Sequence, residues 1–334
     1  ILSVLRDLEP LDILLIAAAN ALVIFSFSGR WWLFLAGQGF RLPYIKLVGY
    51  RLAAFGVSYF TPGPHFGGEP LQVYLVIERD KVPADNSIAA VTMDKLFELL
   101  ANFTCLLFGL LLVFQHGLLS GWLGTQALGY KILLLFLTAT LLFALWKGYH
   151  PLSGLLTWVM RRWPSPTLAR WRRTLWRSED LVATLCRRRP DVLIAASAVS
   201  ALSWMALIGE YWLMTRLLGI DLSFGQAIMA LIAARFAILL PMPAGLGALE
   251  ASQAIAMGLL GMDPAAGVAM ALVIRTRDVL LGLLGLWLGG ASVWRITRRK
   301  DLQETDAYSI KAYHAGSSEH AASLSTPEPQ APIS

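Results

Sequence analysis

The sequence predicts an all-α, polytopic membrane protein made of two inverted-topology repeats, each with a Pro/Gly-broken re-entrant helical hairpin. Three observations support this. The first is composition: 56% of the 334 residues are hydrophobic and 15% charged, whereas a soluble domain carries about 25% charged residues. The second is run length. Leu11–Phe27 with Trp31–Ala36, Asn102–Phe114, Ile132–Trp146, Val192–Met214 and Val279–Trp294 are apolar stretches. With their flanks, several reach the roughly 20 residues that cross a bilayer core of about 30 Å. The third is internal similarity. Shifted by 180 residues, Pro10 meets Pro190, Trp32 meets Trp212, and Gly39-Phe-Arg-Leu42 meets Gly219-Ile-Asp-Leu222. With one residue inserted, Pro62 meets Pro243, Glu69 meets Glu250, and Pro83-Ala84 meets Pro264-Ala265. Matches of Leu and Ala are cheap in such a chain, but matched Pro, Trp and Glu at a near-constant offset argue for duplication.

The elements follow in order. Repeat one spans 10–115 and repeat two 191–296. A long helix opens each, over about 11–36 and about 191–216. Shorter helices follow over about 43–60 and about 223–240. Each then meets a break, Thr61-Pro-Gly-Pro-His-Phe-Gly-Gly68 or Pro241-Met-Pro-Ala-Gly-Leu-Gly247. Proline lacks the backbone donor and clashes with the preceding turn, so neither break continues a helix. Second short helices run over about 68–79 and 248–260, and long helices over about 86–114 and 265–296 close the units. At about 1.5 Å per residue, the shortest pieces cover only part of the bilayer core, so each broken pair is expected to re-enter on its own side. A further span over about 129–147 and a basic amphipathic linker make up the connection 127–190. Residues 1–300 thus form one membrane domain. The stretch 301–334, rich in Ser, Ala, Pro and Glu, is expected to be a disordered cytoplasmic tail.

Charge sets the topology. Residues 147–189 hold ten Lys/Arg against Glu179 and Asp180, and cytoplasmic loops carry such an excess. Arg295, Arg298, Arg299 and Lys300 form a second basic cluster, and Arg30, Arg41 and Lys46 a third. With the basic segments inside, repeat one starts outside and its hairpin enters from the cytoplasm. The odd span between the repeats inverts repeat two, whose hairpin enters from outside. The plan is that of many secondary transporters, and it expects a span upstream of Ile1. Trp158, Trp163, Trp171 and Trp176 interleave with arginines over 158–177, which fits either a grip on anionic headgroups or a positive-inside loop with an aromatic belt. The two cysteines, Cys105 and Cys186, have no metal-ligand spacing and are expected to be structural thiols.

Ionisable residues within spans are costly and ask for a role. They are Arg51, His65 and Glu69 at the first hairpin, then Asp94, Lys95 and Glu98, then Glu210, Arg235 and Glu250, and finally Arg275, Arg277 and Asp278. Asp94 and Glu98 share a helix face and need a cation; Arg51, Lys95, Arg235 or Arg275 can supply it. The matched repeats set Glu69 against Glu250 and Asp94 against Arg275. Two roles fit these charges: a substrate or proton pathway, or an ion-pair network latching the halves together. Gly67-Gly68-Glu69 and Gly245-Leu-Gly247 open the second helix of each hairpin. Free N–H groups at a helix start suit a phosphate or carboxylate, and the glutamates can equally cap those starts. The sequence holds no zinc helix, no nucleophile elbow and no Walker loop, so transport is expected to run downhill or on an ion gradient.

Pro62-Gly-Pro-His-Phe-Gly-Gly-Glu-Pro70, followed by Asp94-Lys95, resembles the first signature of the lysylphosphatidylglycerol synthase transmembrane-region family, also called flippase-like. Leu240-Pro-Met-Pro-Ala-Gly-Leu-Gly-Ala-Leu-Glu250 resembles its second, and Arg30-Trp31 its early Arg-Trp pair, so that the likeness covers about 10–296. Gln72 stands where that family often has an arginine near Glu-Pro. The resemblance implies lipid handling. In the multidomain lysyl-lipid proteins a related membrane domain translocates the lipid while a separate soluble domain makes it. After residue 300 this sequence has no room for that domain, so no lysyltransferase activity is expected.

The expectation is therefore a translocase for a phospholipid or lipid-linked headgroup in the bacterial cytoplasmic (inner) membrane. The alternatives are an intramembrane lipid-phosphate transferase and a non-catalytic membrane partner of a glycosyltransferase. The substrate-binding candidates are Arg51, His65, Gly67, Gly68, Glu69, Asp94, Arg235, Gly245, Gly247, Glu250 and Arg275. No catalytic residue, metal or cofactor is expected. The expected partners are membrane lipids, the substrate anionic or phosphate-bearing, and an envelope-biosynthesis enzyme such as a glycosyltransferase; nucleic acid is not expected.

Overall fold

The structure, a computed structural model, describes residues 10–61, 67–115, 122–163, 165–238 and 246–324, with the backbone alone at 122–128, 130–131, 238 and 299–324. The described residues are helical and contain no strand: α1 (Pro10–Gly37), α2 (Tyr44–Phe60), α3 (Glu69–Asp80), α4 (Ala84–Gln115), α5 (Trp122–Lys147), α6 (Pro151–Arg162), α7 (Pro166–Arg188), α8 (Pro190–Leu217), α9 (Phe224–Ile238), α10 (Ala248–Leu259) and α11 (Pro264–Leu324). Four of these are long and apolar enough to cross a membrane, at Pro10–Gly37, Ala84–Gln115, Pro190–Leu217 and Pro264–Arg298. A fifth is possible if Ile132–Lys147 and Pro151–Arg162, bent by 93°, count as one broken span. The chain is thus a multi-pass membrane protein. The centres of both breaks, 62–66 and 241–245, lie outside the described residues.

Local features repeat at the offset read from the sequence. The opening helices α1 and α8 are 28 residues each, and the second hairpin helices α3 and α10 are 12 each. Trp32 Nε1 donates to the Leu42 carbonyl at 3.1 Å, and Trp212 Nε1 to that of Leu222 at 3.4 Å. Both indoles also meet the first aromatic ring of the next helix edge-on, Tyr44 or Phe224. The turns after α1 and α8 end on Gly39 (φ 96°) and Gly219 (φ 69°), left-handed positions that suit glycine. The backbone bonds of Phe40 to Leu35 and of Ile220 to Thr215 then close equivalent loops.

Helices α1 and α8 pack against each other and run antiparallel. Asn20 Nδ2 donates to Glu210 Oε1 at 3.0 Å, while ten residues on, Arg30 Nη1 reaches Ser200 Oγ at 3.4 Å. A Cβ on Gly37 would meet Val192 at 3.1 Å. The contact is reciprocal in the repeat offset: Asn20 corresponds to Ser200 and Arg30 to Glu210. Helices α2 and α11 approach closer still, backbone to backbone. A Cβ on Gly285 would come 2.0 Å from the Leu52 carbonyl, and one on Gly56 2.5 Å from that of Gly282. Only glycine permits this crossing.

Two compact units divide the chain, 1–289 and 290–334. In the second, the Arg298 guanidinium lies 5.3 Å from the Trp294 ring centroid. Composition assigns 301–334 to a disordered tail. The backbone is helical to Leu324, and 325–334 lie outside the described residues. Between Asp301 and Leu324 there is no proline and one glycine, Gly316, so nothing local breaks the helix.

Candidate functional site

A cavity of about 300 Å³ lies among α1, α2, α3, α4, α8, α9 and the first part of α11. Its wall is largely apolar, with Phe27, Phe55, Trp204 and Leu207, and carries charged side chains on α2, α3, α4, α8, α9 and α11. The charges form two groups.

The first group joins α1, α2, α3 and α4. Arg30 is fully buried, with Nε 3.1 Å from Asp94 and Nη2 3.6 Å from Glu98. Arg51 lies 2.5 Å from Asp94 and 2.9 Å from Glu98. Lys95 Nζ is 3.2 Å from Glu98 and 3.0 Å from Glu69. Asp94 and Glu98 sit one turn apart, where like charges repel; two guanidiniums and an ammonium hold them. Removing one partner of such a buried set costs about 3–5 kcal/mol, because the other charge stays buried. Glu69 also supports the start of α3, where its Oε2 accepts from Gly67 N at 2.9 Å. Ser58 Oγ accepts from Gly68 N at 2.9 Å. A Cβ on Gly68 would meet the Ala54 carbonyl at 2.0 Å, so glycine is required where α3 starts against α2.

The second group joins α8, α10 and α11. Buried Glu210 accepts from Arg277 as well as from Asn20, and Arg277 Nη2 is 2.8 Å from Asp278. Arg275 Nε lies 2.7 Å from Glu250. The Glu69–Lys95 and Glu250–Arg275 pairs are the same contact made twice. Lys95 lies one residue from Asp94, which the sequence register sets against Arg275. A carboxylate that opens the second hairpin helix holds a cation on the following long helix in both halves.

Arg235 differs. It is half-buried on α9, lines the cavity, and has its guanidinium 5.6 Å from the Trp204 ring centroid. Among the described residues no carboxylate lies within 4.0 Å of it. Each carboxylate on the cavity wall (Glu69, Asp94, Glu98, Glu210, Asp278) is paired with a cation. The wall therefore presents one guanidinium with its donor fork uncommitted to an acid, and such a fork suits an oxyanion. The described residues contain no His/Cys/Asp/Glu group arranged to hold a metal.

Residues 1–285 match the family model described as the lysylphosphatidylglycerol synthase TM region. The chain belongs to this family. It is also similar to a UPF0104 membrane protein of Methanothermobacter thermautotrophicus, 20% identical over 293 residues that cover 85% of this chain and 84% of that one. No solved structure matches it.

The family's sequence signatures fall partly on the cavity. Of the sequence candidates, Arg51, Gly68, Glu69, Asp94 and Arg235 line it. Gly67 is exposed beside it in sequence. Gly247 (φ 78°) precedes α10, and neither it nor the Glu250–Arg275 pair is among the lining residues. His65 and Gly245 lie outside the described residues. Sequence reasoning names Lys95, Glu98, Glu210, Arg277 and Asp278 as intramembrane charges without placing them at the site, yet all line the cavity. It assigns no role to Asn20 or Trp204, and reads Arg30 as a motif match and as one of a basic cluster with Arg41 and Lys46, whereas the Arg30 side chain is fully buried. The missing signal was in the repeat: the 180-residue offset lays Arg30 on Glu210 and Glu98 on Asp278.

Proposed function

We propose that this member of the lysylphosphatidylglycerol synthase TM-region family is a flippase-like translocase of a phosphate-bearing lipid or lipid-linked headgroup. The observation that carries the proposal is the cavity. It combines an apolar wall with paired charges and a guanidinium, Arg235, that among the described residues has no carboxylate within 4.0 Å. An apolar wall suits acyl or isoprenoid chains, and the guanidinium suits their phosphate. Inverted repeats with re-entrant hairpins support this reading. Their support comes from the antiparallel, reciprocal α1–α8 contacts, the repeated Trp-to-carbonyl bonds and the repeated Glu–cation pairs. In that frame the protein lies in a bacterial inner membrane with its C-terminal segment in the cytoplasm, and a hairpin reaches inward from each face.

The roles follow from the contacts. Arg235 takes the phosphate. Glu69 and Lys95 form a breakable pair at the mouth of the first hairpin, and Glu250 and Arg275 the matching pair of the second. Asp94 and Arg51 keep the charge of the wall balanced.

Reconstituted vesicles carrying a headgroup-labelled phospholipid test the proposal. Loss of the inner-leaflet label to an impermeant reductant added outside is expected to be faster with the protein than without it. Arg235→Gln is expected to slow it at least tenfold, a loss of about 1.4 kcal/mol or more. Glu69→Gln combined with Glu250→Gln is expected to slow it as well. A folded double variant that moves lipid at the original rate removes these residues from the mechanism. No movement by any phospholipid or lipid-linked sugar, with a chemically altered lipid recovered, favours a transferase instead.

A further inference from the structure

The region between the two halves has a structure that the cavity does not use. Helix α5 is apolar and ends at Lys147, whose Nζ lies over the rings of Phe143 and Trp146 at 5.6 and 5.2 Å. The chain turns at Gly148 (φ 85°), and α6 leaves at 93° to the apolar part of α5. Arg187 Nε donates to the Trp146 carbonyl at 2.8 Å and so caps the end of α5. Helix α6 is then locked to α7. Glu179, buried on α7, accepts from Leu152 N at 2.6 Å, Ser153 N at 3.2 Å and Ser153 Oγ at 2.6 Å. The His150 ring stacks on Trp176 with centroids 5.0 Å apart. The later part of α7 turns Val182, Ala183, Leu185 and Cys186 inward.

Outward, the unit shows two kinds of side chain. Trp158, Trp163 and Trp171 are 69, 67 and 54% exposed. Arg161, Arg162, Arg170 and Arg173, near them in sequence, are exposed too, and the one exposed acid over 151–188 is Asp180. Three large exposed indoles on a water-facing surface would be a liability. A helix leaving an apolar span at a right angle runs along the bilayer plane, and there indoles sit at headgroup depth. Arginines at that depth meet lipid phosphates.

We infer that α6 and α7 form a fixed seat for anionic phospholipid headgroups, distinct from the cavity. The charge balance of the exposed face selects anionic over zwitterionic lipid. Each arginine near an anionic surface contributes about 1 kcal/mol, and the tryptophans hold the seat at the interface. A seat built this way also fixes α5 against α4 and α7 at one level in the membrane. It holds whether or not the cavity moves lipid.

The experiment places the full chain in lipid nanodiscs and reads tryptophan fluorescence. Brominated phosphatidylglycerol and brominated phosphatidylcholine are compared at equal mole fraction. Brominated phosphatidylglycerol is expected to quench more strongly. The excess is expected to vanish in Trp158→Phe/Trp163→Phe/Trp171→Phe and to fall at least about threefold in Arg161→Gln/Arg162→Gln/Arg170→Gln/Arg173→Gln. In the unsubstituted protein it is expected to shrink as salt is added. Equal quenching by the two lipids overturns the inference. So does an excess that survives the tryptophan changes, which would put the anionic lipid elsewhere, or one that salt does not alter. Quenching by neither lipid, with the indoles shielded by an added protein or RNA instead, overturns it too. The salt series keeps the test decisive should the arginine variant fail to fold.

Discussion

Arg30 shows how much one side chain organises. It is fully buried, reaches Asp94 and Glu98 on α4, and touches Ser200 on α8. Arg30→Gln leaves Asp94 and Glu98 with Arg51 and Lys95 but removes a buried cation, so it is expected to lower stability by about 3–5 kcal/mol. A thermal shift of the detergent-purified protein checks this, and Arg30→Lys is expected to recover only part. Little of this was legible in the sequence. Arg30-Trp31 resembled the end of a helix, and one letter does not reveal which of several acids it meets. Asp94 and Glu98 were more readable, because two acids four residues apart in an apolar run demand a cation. Cys186 gives a second residue-scale expectation. Burial pushes its thiol up to about 11 from an ordinary 9.0, with Arg187 opposing. The reactive species is the thiolate, so at pH 8 it falls about a hundredfold. Maleimide labelling of Cys186 in the folded protein is expected to be slow and to accelerate with denaturant.

Among the elements, sequence periodicity and punctuation located nearly everything. The helices on either side of both breaks start within a residue or two of where Pro, Gly and run length put them. The reason is that in lipid the backbone must satisfy itself, so spans are long and their interruptions are marked. What punctuation could not give was which helices touch. Gly56, Gly282 and Gly285 looked like ordinary membrane glycines, yet they let α2 and α11 meet backbone to backbone. Gly285→Val would force side-chain atoms into the Leu52 carbonyl. It is expected to abolish the monodisperse detergent-purified protein on size exclusion, while Gly290→Val, where a Cβ meets nothing within 4 Å, is expected to be tolerated.

For the whole molecule, the repeat offset and the charge bias carried the sequence reading furthest. They expected two halves of opposite orientation; α1 and α8 themselves pack antiparallel. The topology that goes with it has a direct test. In a background lacking both cysteines, Arg161→Cys and Asp221→Cys place exposed thiols in the linker and between α8 and α9. An impermeant maleimide added to intact cells is expected to label Asp221→Cys and to spare Arg161→Cys until the cells are opened. Labelling of Arg161→Cys alone would reverse the orientation, and labelling of both would put the two positions on one side and overturn the plan. The α1–α8 contact has a further consequence. If the chain descends from two copies of one unit, those copies have since become specialised for each other. Position 30 is an arginine and its counterpart, position 210, a glutamate; position 20 is an asparagine and its counterpart a serine. Two copies of the first half would set asparagine against arginine at both ends of the seam. The halves now fit together as lock and key do, and neither could stand in for the other.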